Sequence, residues 1–283
     1  MSLSDDHAYC ADQVRRHDND RFATALFAPD DRARADLMAL YAFNLELARV
    51  AETVSEPILG EMRLQWWRDA LDGIMAGTGG RHAVATALGG AVSRAGLTSD
   101  DLERLIDARS ADLADEPPAD LAALEVYADK TSGHLNGLAL RILGDFDEDI
   151  RTAARESGVA WGLIGIVRGF PFHAASGRRH LPRDLCNAAS LKADEPERIR
   201  SGQGLRQVAG AIVERAREHL AEARRAVARS PKAARPVLLQ ATLADLHADR
   251  LARADMDPFD PALARPPASR HIRLAWTAWR DRY

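Results

Sequence analysis

The side chains able to do chemistry in this chain fall mostly outside the familiar patterns. Its nine histidines never take the HExxH spacing that sets two imidazoles on one helical face around zinc. Asp145, Asp147, Glu148 and Asp149 crowd together, but they sit between two periodic segments and read as a helix start, where carboxylates complement the N-terminal dipole. Gly77-Thr78-Gly79-Gly80 reads as a turn, since neither GxGxxG nor a P-loop is present. No GxSxG element supplies a hydrolase nucleophile. In the tail, Trp276 and Trp279 stand three apart among Arg270, Arg273, Arg280 and Arg282. Two readings stay open there: a basic aromatic helix lying on an anionic membrane surface, or an arm docking its tryptophans on the protein's own surface.

Helices must position whatever chemistry exists. Ala and Arg are abundant and strand-favouring runs are scarce, which predicts an all-α fold. Apolar periodicity and breakers place helices over about 7–26, from the Asp30-Asp31 start through Leu37, Leu40, Tyr41, Leu45, Ala48 and Glu52, and over Ile58–Ile74 after Pro57. Others follow over Val84–Leu97, Leu102–Leu113 with a cap at Thr98 or Ser99, Asp120–Leu143 and Asp147–Phe170. Pro171 ends the last of these and a basic loop covers Ala174–Lys192. Two long helices cover about Gly204–Ala228 and Pro236–Ala254. Ser132, Gly133 and Gly137 mark close helix approach or room for a ligand. Of Trp66 and Trp67, adjacent on one helix, one belongs to the core and the other packs on a neighbouring helix or a partner.

The whole chain, 1–283, reads as one domain, with a core over about 7–261 and a tail over 262–283. Thirty-eight basic and 42 acidic residues nearly balance, at a net charge of −4, so nothing points to nucleic acid. Two isolated cysteines, Cys10 and Cys186, and an acidic, apolar-poor start predict a cytoplasmic protein. No apolar run approaches the roughly 20 residues that span a bilayer, so membrane contact would be peripheral, at the inner face.

Tyr41-Ala-Phe43, the helix from Val126 to Leu143 and the Gly177-Arg178-Arg179-His180-Leu181-Pro182 loop resemble the squalene/phytoene synthase family, in order, from about residue 10 to 261. The resemblance implies a single isoprenoid-synthase-like helical bundle around a central cavity. In that family two facing helices carry DxxxD-type motifs, whose carboxylates bind magnesium ions holding isoprenyl diphosphates for head-to-head condensation. Residues four apart share a helical face, and Mg²⁺ demands hard oxygen ligands. Here the motif positions are degenerate. Ala48 and Arg49 stand at the paired aspartates, Glu52 at the last, and Leu45 at an arginine. Opposite, Arg168 is kept, while Gly165, Gly169 and His173 replace an Asn and both aspartates. Lys130 takes a cavity tyrosine's position and Arg178 matches the GR loop.

The runs Phe43–Arg49, Ser55–Gly60 and Met62–Trp67 also resemble a divergent branch that includes a mitochondrial assembly factor for respiratory complex I. The resemblance to that branch points to respiratory-complex subunits as partners. The absent carboxylates, the retained core and the basic tail together predict a protein without catalytic residues or cofactor that binds such subunits, a prenyl lipid or both, with Trp276, Trp279, Arg273 and Arg280 as peripheral membrane contacts. The alternative is a prenyltransferase of altered site, using Mg²⁺ or holding a prenyl diphosphate on Arg168, Arg178 and Lys130, near Tyr41, Glu52 and His173. A third reading pairs Arg168 with Glu52 and leaves no ligand.

Overall fold

The computed structural model describes residues 5–54, 56–78, 82–114 and 116–283, and no strand occurs among them. Ser55, Gly79, Gly80 and the first four residues of the predicted cytoplasmic start lie outside the described residues. The α-helices run α1 Asp5–His17, α2 Asn19–Ala25, α3 Asp31–Ala48, α4 Pro57–Met75, α5 Ala83–Ala95, α6 Ser99–Ser110 and α7 Leu121–Ala128. After a π-helical turn at Asp129–Gly133 come α8 His134–Leu143, α9 Glu148–Ala175, α10 Arg183–Ala188, α11 Gln203–Ala226, α12 Arg235–Arg253 and α13 Arg270–Trp279. The fold is all-α.

Local signals set most of the starts. Asp30 accepts from the Ala33 amide at 2.8 Å and Asp147 from Ile150 at 2.9 Å, so the acids around 147 do begin a helix. Thr98, not Ser99, caps α6 in a capping box with Asp101. The Gly77 end of the expected turn is described: its φ of 71° lets the Thr78 amide reach back to Gly73 O at 2.9 Å and close α4. The opening helix is split in two, because Asp18 leaves the helical region and caps α2.

α9 is the axis, packed on α11, α12 and α8, with Trp161, Leu163, Ile164, Val167 and Phe170 buried. A Cβ on Gly158 would lie 2.5 Å from Ser132 O and 2.8 Å from Gly133 Cα, so these small residues serve close approach. Gly137 differs: nothing lies within 4 Å of its Cβ position, and it lines a surface groove of about 1120 Å³ between α6, α8 and the start of α9. Pro171 does not end α9, which continues to Ala175, because proline removes one amide donor without forbidding helical φ. Trp67 is buried against Phe43, edge to face at 4.9 Å. Trp66 is exposed, edge-on to Trp67 and His82.

The charged face of α11 is not wholly solvated. His219 sits between two carboxylates, with Nδ1 2.5 Å from Glu156 Oε2 on α9 and Nε2 2.8 Å from Glu125 Oε1 on α7. Arg215, itself bonded to Glu218, donates to the same Glu125 oxygen at 2.7 Å, and Arg155 lies near Glu156. Burial alone would lower the imidazole's pKa, but the hydrogen bonds to Glu156 and Glu125 outweigh it and raise it. The folded state therefore holds the proton more tightly than the unfolded one. The resulting stability is complete below about pH 6.5 and is lost as pH rises through the higher folded value. Thermal melts from acid to alkaline pH should show this decline, and His219→Gln should flatten it while costing about 1.5–3 kcal/mol below pH 6.5. An unchanged pH profile in the variant would refute the imidazolium bridge.

Candidate functional site

α3 stops at Ala48, and Val50–Glu52 tightens into a 3₁₀ turn. The expected single helical face from Leu37 to Glu52 therefore breaks before Glu52. Arg49 and Val50 carbonyls are taken by the Thr53 hydroxyl at 3.1 Å each, which favours the tighter turn. Arg49 points outward, with Nε 3.9 Å from Glu52 Oε2, and Glu52 Oε1 lies 3.8 Å from Arg178 Nη1. Glu52 thus faces two arginines. Tyr41, fully buried, meets Gln240 Nε2 at 3.4 Å and has the Arg21 guanidinium 5.8 Å from its ring centroid.

On α9, His173 folds back over Gly169. A Cβ at 169 would lie 2.7 Å from the imidazole Cε1, so His173 in this rotamer excludes an aspartate at 169. Positions 169 and 173 thus share one space, which the imidazole fills. His173 also meets His180 at 4.8 Å between centroids. Burial, then His180 and Arg178, depress its pKa to about 3, which keeps the ring neutral. Nδ1 of His173 and Nε and Nη2 of Arg178 are buried without a hydrogen-bond partner.

Behind these residues lies a charged network that the sequence did not disclose. Arg109 Nη1 donates to Asp112 at 3.1 Å and to the Tyr127 hydroxyl at 2.9 Å, and that hydroxyl donates to Asp112 at 2.5 Å. His180 stacks on Tyr127 at 5.8 Å. Burial would raise the Asp112 pKa, but the charges of Arg109 and His180 lower it. Arg109 and Asp112 are three residues apart at the end of α6, a local signal that was available; Tyr127 and His180 come from distant segments.

Arg168 and Glu52 do not pair. Arg168 turns toward Asp20, Nη1 to Oδ2 3.6 Å, with its guanidinium 5.7 Å from the Trp161 centroid. Asp20 also accepts from His247 and from Arg270, both at 2.9 Å. Burial would raise this carboxyl, yet the His247 bond and the neighbouring arginines hold it far below its usual range. Asp20, Trp161, Gly165, Arg168, His247 and Arg270 line a recess of about 710 Å³. Arg178 is absent from its lining, and exposed Lys130 lines the other groove, beside Gly137. The structure therefore joins Glu52, His173 and Arg178, and sets Arg168 and Lys130 apart, because Lys130 follows the outward face of the π-helical turn.

The squalene/phytoene synthase model matches residues 14–280. The chain belongs to the squalene/phytoene synthase family. Among its relatives is the rat "NADH dehydrogenase (ubiquinone) complex I, assembly factor 6", 33% identical over 99% of this chain and 84% of that protein. A presqualene diphosphate synthase of Rhodopseudomonas palustris is 31% identical over 48% of this chain and 50% of its own length. A solved dehydrosqualene synthase superposes with a TM-score of 0.81, at 16% identity, covering 98% of this chain and 96% of that one. This squalene/phytoene synthase family member therefore has the isoprenoid-synthase fold.

Magnesium is the metal this family implies, and the residues present do not suit it. Glu52 is one carboxylate set against Arg178 and Arg49, and His173 offers a buried nitrogen where Mg²⁺ requires hard oxygen ligands. What the arrangement can do is hold an anion on Arg178, or close on itself.

Proposed function

We propose that this family member is a non-catalytic, cytoplasmic factor for the assembly of respiratory complex I, working without a metal cofactor. The observation that supports the reading is the pairing of Glu52 with Arg178 at 3.8 Å while His173 covers Gly169, an arrangement ill suited to holding a diphosphate through a hard cation. The full-length similarity to proteins named as complex I assembly factors supports the partner class. In the native host, removal of the chain should lower assembled complex I, and wild-type protein should restore it. Purified protein with Mg²⁺ and farnesyl or geranylgeranyl diphosphate should form no head-to-head product. A product, or complex I levels untouched by the deletion, would overturn the proposal.

The unpartnered Nε and Nη2 of Arg178 favour a second reading, in which the protein retains a prenyl lipid by its diphosphate without metal. Calorimetry would then show saturable binding of a prenyl diphosphate that is lost in Arg178→Ala. No heat of binding up to millimolar ligand removes this reading and leaves the assembly role standing.

A further inference from the structure

α13 is held to the protein by one face only. Leu274 and Ala278 are buried, Tyr283 beyond the helix is buried, and its hydroxyl donates to Ala223 O at 3.0 Å. Arg270 is drawn inward to Asp20 and Arg273 to Asp249, at 3.5 Å. Asp281, the single acid in 265–283, is bonded by Arg235. The tryptophans do not dock on the protein: Trp276 is 52% exposed, Trp279 73% and Ile272 74%. Ile272, Ala275, Trp276 and Trp279 follow i, i+3, i+4, i+7 and so form a second apolar stripe, pointing outward.

We propose that this outward face of α13 seats the protein on an anionic bilayer, the indoles and Ile272 entering the boundary between headgroups and acyl chains. Charge complementarity selects this occupant. The segment 265–283 carries five arginines against Asp281 in a chain of net charge −4. Exposed Arg280 lies over the Trp276 ring at 4.3 Å, so the cation sits at the level of the indoles, where a lipid phosphate would meet it. Exposed Arg282 follows it, whereas Arg273, engaged with Asp249, is not part of the contact. Size argues the same way. A helix of ten residues is about 15 Å long, and one stripe of it falls far short of the roughly 800 Å² per partner that a stable protein interface buries. Interfacial binding sets no such area threshold, since it scales with the apolar surface buried plus the attraction of basic groups to anionic lipid. No helix among the described residues is long and apolar enough to cross a membrane, so the contact is peripheral. The proposal stands independently of the assembly role.

Cosedimentation of the full chain with vesicles of phosphatidylglycerol in phosphatidylcholine, and of phosphatidylcholine alone, tests it. Wild-type protein should pellet with the anionic vesicles, be released by high salt, and bind the neutral vesicles weakly. Trp276→Ala with Trp279→Ala should weaken the anionic binding by about tenfold or more, and Arg280→Gln with Arg282→Gln should remove its preference for anionic lipid. Thermal melts of both variants should match wild type, since the altered side chains are exposed. The proposal is overturned if wild type ignores anionic vesicles or if the double tryptophan variant binds as wild type does. It is equally overturned if ultracentrifugation shows a wild-type dimer that the tryptophan variant loses, for the face would then belong to a second copy.

Discussion

Asp112→Ala should destabilise the protein by about 3–5 kcal/mol, because it strands the Arg109 guanidinium in the interior. Asp112 has a side chain only 3% exposed and Arg109 one of 15%, and the Tyr127 hydroxyl spans the two. Asp112→Asn keeps an acceptor and removes the charge, so its loss should be smaller and the order Asn above Ala diagnostic. The charge also gives a pH signature. A carboxyl whose folded pKa is depressed contributes stability that is present above its unfolded pKa of about 3.9 and disappears as pH falls through the folded value. Chemical denaturation of wild type and Asp112→Asn between pH 3 and pH 7 should show the two curves converging on the acid side. Equal stabilities for all three proteins at neutral pH would mean the network carries no load.

Gly158→Ala should also destabilise, by about 1–3 kcal/mol net. Alanine gains about 1 kcal/mol over glycine inside a helix, but its methyl would meet the backbone of Ser132 and Gly133, which cannot swing aside as a side chain can. The clash must separate α9 from the π-helical turn. Gly137→Ala is the matched control: its Cβ enters open space, so the propensity gain is unopposed and stability should rise by about 0.5–1 kcal/mol. Paired thermal melts decide the point, and a stabilised Gly158→Ala would disprove the close crossing.

These two sites show where sequence reasoning reached and where it stopped. The starts at Asp30, Thr98 and Asp147 were legible because a cap binds an amide three residues away. The small-residue cluster in 132–137 was legible as a cluster, but its division into a crossing at Gly133 and an opening at Gly137 depends on where α9 passes. The residues at the expected motif positions could be read directly, yet two local features could not. One is the 3₁₀ turn at Glu52, where the Thr53 hydroxyl takes the Arg49 and Val50 carbonyls. The other is the continuation of α9 through Pro171, whose φ suits a helix although its missing amide usually ends one. Least visible were the charged groups recruited across the fold. His219 reads as one more polar residue on α11 until Glu125 and Glu156 arrive from two other helices. Arg168 offered the motif spacing, but Asp20, 148 positions earlier in the chain, determines where its guanidinium lies.

The Asp20 cluster also bears on how the chain is made. Asp20 and its partner Arg270 are 250 residues apart, so at about 5–20 residues per second the ribosome needs about 12–50 s to deliver the second after the first. During that interval the Asp20 carboxylate has no Arg270, the recess beside Arg168 lacks one wall, and α2 must wait in contact with earlier helices alone. Closure therefore waits until α13 has been made, and until then the recess is open on the side that Arg270 will occupy.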